Sequence, residues 1–208
     1  MDTPSEAMTL AKELLGGMDR RWSHVMRVAA RAEELAATLI DDVSEGEVLV
    51  MAAWLHDIGY AGILAKTGFH HLDGANYLEG IGEHRLACLV AHHSSGAQEA
   101  HLRGLDQEMS RFPAEPGLIA DCLTYCDLSN GPDGQPMKLN QRIDEVERRY
   151  GKDDVVPQGL RLACPQLAKS FAHVELLCSQ VGSRSVGPNH LPDPVVEPQN
   201  LPKLGLWS

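Results

Sequence analysis

An apolar helical run, residues 48–58, ends on two side chains of the metal-ligand type, His56 and Asp57. Neighbouring side chains on a helix point about 100° apart. Both can therefore grip one ligand only if it sits over the helix end or at its inward edge. Further donors must come from elsewhere in the chain, and candidates stand upstream at His24 and downstream at His70, His92, His93 and Asp127. A chain that uses such a set has to gather several helices around one point.

The apolar periodicity supplies those helices. Thr3 or Ser5 can cap a short amphipathic helix that stops at Gly16-Gly17. A longer one over residues 19–40 carries Val25, Val28, Ala29, Ala32, Leu35, Ala36 and Leu39 at three- and four-residue intervals, one buried stripe. Ser44, with Glu47 three residues on, reads as a capping box opening the helix whose apolar face is Val48, Met51, Ala52 and Leu55. Helices are expected at 72–81, 83–93, 116–128, 140–150 and 158–181, with breaks at Gly82, Ser94 to Gly96 and Gly131 to Gly134. No alternating pattern of useful length predicts a strand, so the expected fold is an all-α bundle.

Length and composition fit one domain over residues 1–184, with 43% hydrophobic residues to fill a single core. From Ser185 onward prolines recur at 188, 192, 194, 198 and 202. They remove amide donors and forbid a helix, so residues 185–208 are expected as an extended or disordered tail, or one lying along its own domain or a neighbouring subunit. Residues 131–184 carry no recognised motif and are expected to cap the bundle or form a dimer face.

The net charge of −11 argues against a nucleic-acid polymer as partner, because phosphate backbones are bound by basic surfaces. A small anion held by a metal and a few local cations is compatible with it. The five cysteines are odd in number and lack CxxC spacing, which points away from a disulfide framework or zinc ribbon and towards a reducing cytoplasm. No signal peptide and no apolar run of about 18 residues is visible, so no membrane span is expected.

His24 lies on the buried edge of its helix beside Val25 and Val28. Two imidazoles and two carboxylates make a mononuclear transition-metal site with positions left for water or substrate. The fourth ligand is expected at Asp127 rather than Asp121, six residues earlier and roughly 120° away around the same helix. Cys122 and Cys126 are assigned to the core.

The order His24, His56-Asp57, Asp127, in the strings SHVMRVA, AAWLHDIGY and LTYCDL, resembles the HD superfamily of metal-dependent phosphohydrolases over roughly residues 18–130. The resemblance implies that these four side chains bind one metal. The segment HHLDGANYL resembles the HxxxGA signature of members with a second metal, which implies a ligand role for His70, with His71 as a flanking group that meets substrate. LVAHHSSG resembles the place where such members supply another His, and the choice between His92 and His93 stays open. A pocket in which His70, His92 and His93 touch substrate without a second metal is the other reading.

The activity implied is hydrolysis of a nucleotide or another small phosphorylated metabolite by a metal-activated water, with His56 and Asp57 catalytic. One or two divalent ions, Mn, Fe, Co, Ni or Zn, would serve. Lys66, Arg20 and Arg27 are candidates to hold phosphate oxygens, each with the alternative of a solvated surface charge. Two further readings are a diiron HD-domain oxygenase and a non-catalytic nucleotide sensor. A homodimer is compatible with all three.

Overall fold

The computed structural model describes residues 1–131 and 135–184. The expected tail therefore lies outside the described residues. Ten α-helices and one 3-10 turn make up the described fold, with no strand beyond an isolated bridge between Asn130 and Pro136. The helices are α1 (Pro4–Leu15), α2 (Asp19–Leu39), α3 (Val43–Leu55), α4 (His70–Gly80), α5 (His84–His92), α6 (Gly96–Leu102), α7 (Asp106–Met109), α8 (Leu118–Leu128), α9 (Leu139–Tyr150) and α10 (Val155–Arg184). The 3-10 turn, Ile58–Tyr60, follows α3. Among the described residues no helix is long and apolar enough to cross a membrane.

The centre of the bundle is α3. Residues 49–55 are all buried, whereas the sequence pattern predicts one buried face. Its neighbours explain the difference, because α1, α2, α5 and α8 all pack against it. A second, smaller apolar cluster joins Leu128 of α8, Val146 of α9 and Leu160, Ala163, Leu167 and Phe171 of α10. It seats α9 and α10 on the end of the bundle where α3 terminates.

Most expected helices appear with ends shifted by a residue or two. Of the two expected caps for α1, Thr3 is the one used: its hydroxyl accepts from the Glu6 amide at 3.3 Å. The Ser44 capping box does not form. Asp42 caps α3 instead, accepting from the Ser44 amide at 2.9 Å and from the Ser44 hydroxyl at 2.7 Å. A carboxylate is a stronger acceptor at a helix N-terminus, and the serine hydroxyl is consumed as a donor to it. Helix α4 starts at His70, two residues before the expected 72, which puts both of its histidines in the first turn.

The chain after His56-Asp57 has to cross the start of α4 at close range. A Cβ on Gly59 would stand 1.9 Å from the His70 carbonyl oxygen and 2.7 Å from the Gly74 amide nitrogen, both backbone atoms. Only glycine allows this approach. It ties the turn that follows Asp57 to the turn that begins with His70.

Candidate metal centre

Six elements meet at the C-terminal end of α3. His24 comes from the second turn of α2, His56 caps α3, Asp57 opens the 3-10 turn, His70 and His71 begin α4, His93 caps α5, and Asp127 ends α8. The ligand-type atoms meet closely. His24 Nε2 lies 3.0 Å from Asp127 Oδ1 and 3.9 Å from Asp57 Oδ2. His56 Nε2 lies 3.3 Å from Asp57 Oδ2 and 4.0 Å from Asp127 Oδ1. The other oxygen of Asp57, Oδ1, faces His70 Nε2 at 3.4 Å. Asp57 thus turns one oxygen to His24 and His56 and the other to His70.

Backbone carbonyls fix which imidazole nitrogens are presented. His56 Nδ1 donates to the Ala53 carbonyl at 2.7 Å, and His93 Nδ1 to that of Val90 at 2.7 Å. A carbonyl only accepts, so the proton sits on Nδ1 and Nε2 keeps its lone pair for the site. The His56 Nε2 atom is buried without a hydrogen-bond partner among the described residues. A cation between these groups would satisfy that orphaned lone pair, and two imidazoles with two carboxylates are the donor set that divalent transition metals take. The residues therefore fit a metal.

The charge states of Asp57, Asp127, His70 and His93 agree with that use. Burial pushes the Asp57 carboxyl up, but the Arg21 guanidinium and the His56 imidazole overcome it and hold Asp57 well below the usual carboxylate range. Burial also opposes ionisation of Asp127, and there hydrogen bonding to His24 prevails and keeps the group strongly acidic. His70 and His93 are pushed down chiefly by burial, so both rings are neutral, the form that binds metal. For His56, burial lowers the basicity, and the Asp57 charge reverses it.

The structure separates the remaining candidates. His92 turns away from the cluster, its Nε2 2.6 Å from the Phe112 carbonyl oxygen, while its neighbour His93 faces inward with its ring 5.2 Å from that of His56. His71 is 2% exposed, its ring on that of His93 with centroids 4.1 Å apart, and it lines the small pocket that also holds Asp57, His70 and Asp127. Asp121 pairs with His173 of α10 at 2.7 Å, apart from the centre. Lys66 is exposed on the loop before α4, and Arg27 borders a surface groove with Arg31 and Tyr125; neither lines the pocket that holds the cluster. Arg20 lines an adjoining cleft that His24 also borders.

Two cationic contributions escape the sequence reading. Arg21 pairs directly with Asp57 Oδ2 and stacks 3.9 Å over the Tyr60 ring. From α9, Arg142 and Arg149 join Arg21 in lining the small pocket that holds Asp57, His70, His93 and Asp127, and an adjoining cleft of about 400 Å³ is bordered by Arg20, Arg21, Arg142, Arg149, Met18 and His24. The seven-residue spacing of Arg142 and Arg149 places them on one face of α9, a legible signal had the position of α9 been known.

A sequence model of the HD domain matches residues 21–143 of this 208-residue chain, a span that contains every ligand-type residue described above. The chain belongs to the HD domain family. HD domains bind divalent metals and are generally metal-dependent hydrolases. No curated protein and no solved structure matches the chain. Within the HD domain, the His-Asp pair owes its placement to the end of α3, where the helix stops and the 3-10 turn lets Asp57 face two groups of histidines.

Proposed function

We propose that this HD domain is a metal-dependent phosphohydrolase for a nucleotide or another small phosphorylated metabolite. The observation that carries the reading is the arginine rim. Arg21, Arg142 and Arg149 line the small pocket that holds Asp57, His70, His93 and Asp127, and Arg20 joins them in the adjoining cleft beside His24, in a chain whose net charge is −11. A basic patch against such a background selects a compact anion, and guanidinium groups match phosphate oxygens in geometry as well as charge. Glu145 pairs with Arg142 and lies 3.5 Å from Arg149 Nε, which holds the two α9 side chains ready over the opening.

His24, His56, Asp57 and Asp127 would hold a divalent ion, with His70 and His93 at hand for a second. Such an ion lowers the pKa of a bound water and shields the charge of the phosphoryl group. The protein's own groups do the rest. The arginines orient the phosphate with its ester bond over the cluster. Asp57, ionised at neutral pH, accepts the proton of the attacking water. The new bond forms from water oxygen to phosphorus, the bond to the leaving oxygen breaks, and that oxygen leaves as an alcohol after taking up a proton from solvent, to which Asp57 returns its own. His93 and Asp127 hold the floor of the site in place through their bonds to Val90 and Ser94.

The test is phosphate release from a panel of nucleotides and small phosphate esters, using protein stripped of metal and then loaded with Mn, Fe, Co, Ni or Zn. Metal-dependent release is expected, abolished in Asp57→Ala. Arg149→Ala should raise KM about tenfold, with kcat changed little, because the lost contact holds ground state and transition state alike. Absence of release with every metal would overturn the proposal. Dioxygen consumption would then favour the oxygenase, and ligand binding without turnover the sensor.

A further inference from the structure

Behind the cleft, His70, His71 and His93 each offer a ring nitrogen, and these atoms lie within 4.8 Å of one another. His71 is 2% exposed, and neither of its ring nitrogens makes a hydrogen bond of full geometry among the described residues, the backbone of His93 being the polar group it approaches. One approach to a backbone group leaves the other nitrogen of this buried ring without a partner, which requires an explanation. Its surroundings narrow the choice. The ring stacks on His93, stands 3.9 Å from the His70 ring centroid, and has Phe69 on another side at 4.6 Å. Space for it is kept by Gly96, where a Cβ would come within 2.9 Å of His71 Cδ2.

We propose that His71 is itself a metal ligand, the third imidazole of a half-site formed with His70, His93 and the Oδ1 oxygen of Asp57. The proposal rests on the reading that the cluster holds metal. It goes beyond the two imidazoles, His70 and one of the 92–93 pair, that the family resemblance implies for a second ion. The two half-sites then share Asp57 and differ in character. His24, His56 and Asp127 complete one with mixed nitrogen and oxygen donors, while three imidazoles dominate the other. Imidazole-rich sites suit Fe, Co, Ni, Cu and Zn and are poor for Mg. The second half-site should therefore take up cobalt or zinc in a large excess of magnesium.

Cobalt(II) titration of the full-length, metal-stripped protein tests this through the visible absorption of the bound ion and through metal content per chain after gel filtration. Wild type should bind two ions. His71→Ala and His71→Phe should bind one, with the second-ion affinity reduced more than a hundredfold and an unchanged circular-dichroism spectrum. Added imidazole should restore the second ion in His71→Ala, where a hole remains, but not in His71→Phe, where the ring fills it. Retention of two ions and the wild-type spectrum in His71→Phe would overturn the proposal and leave His71 a packing residue. One ion in wild type would overturn it too, because the second half-site would not exist, but would leave the metal-dependent reading standing. No ion in wild type would overturn the metal reading itself, and both proposals with it.

Discussion

Ser94 occupies the left-handed region at φ 55°, the one non-glycine residue with positive φ among the described residues, directly after His93. That conformation is uncommon for a residue with a side chain and clusters at functional sites. What it secures is Asp127: the Ser94 hydroxyl donates to Asp127 Oδ2, and its amide donates to the Thr124 hydroxyl at 3.3 Å. The serine thereby links the end of α5 to the end of α8 and aims a carboxylate at His24. Removing it should weaken metal binding by about 10- to 100-fold, the usual effect of deleting a group that orients a ligand. Ser94→Ala and Ser94→Gly separate orientation from strain, because glycine adopts this backbone freely. Both should lose affinity in a chelator competition, whereas only Ser94→Gly should recover backbone stability. Wild-type affinity in both variants would show that Asp127 needs no such support. At this scale the sequence was readable to within one residue and not further. His92 and His93 are identical in type and adjacent, and only the way α5 ends decides which faces inward. Arg20 and Arg21 lie four and three residues before His24, and both spacings put a side chain on the same helical face. The pair to Asp57 falls to Arg21, because Asp57 stands beyond the end of α3 at that level.

Elements are held together at two different kinds of joint. One is the steric crossing at Gly59, where backbone meets backbone and nothing can give. Gly59→Ala should cost roughly 1–3 kcal/mol in urea unfolding, as overpacking does, and should release metal, since its clash falls on the residue that carries His70. The other joint is electrostatic. Arg85 of α5 donates from Nη1 and Nη2 to Glu45 of α3 at 2.7 and 2.6 Å, and from Nε and Nη2 to Glu115 before α8 at 2.8 and 2.6 Å. Hydrogen bonding from Arg85 lowers the pKa of Glu45. A carboxyl whose folded pKa lies below its unfolded value stabilises the fold above about pH 4.3, its unfolded value, and loses that contribution as the pH falls further. The groups are partly exposed, so solvent screening limits the effect to about 1 kcal/mol. Arg85→Met should cost that much at pH 7 and markedly less at pH 3. A pH-independent difference would mean that Arg85 acts through packing alone. The long helices were legible because their apolar spacing spans several turns. Helices α6 and α7 were not, being seven and four residues long and too short for a period to show. Helix α9 was legible as a helix but silent as part of the site, because its role comes from the second apolar cluster that seats it over the opening.

The whole molecule separates stability from function in space. The main core surrounds α3, with Leu49, Ala52, Ala53 and Leu55 fully or almost fully buried, while the His/Asp cluster gathers at that helix's C-terminal end. The fold should therefore persist without metal and gain stability when metal binds. An ion at 100 times its dissociation constant adds about 2.7 kcal/mol by mass action. For a chain of this size that corresponds to roughly 5–10 °C in Tm. Chelation should lower the melting temperature by such an amount while leaving the helical circular-dichroism signal at room temperature unchanged. Asp57 faces both groups of histidines, so Asp57→Ala should abolish the difference between chelated and metal-loaded samples. Arg149→Ala, on the rim and outside the cluster, should preserve it. Equal melting temperatures for wild type with chelator and with added metal would mean that the converging side chains do not hold an ion, since binding to the folded state alone cannot leave its stability unchanged.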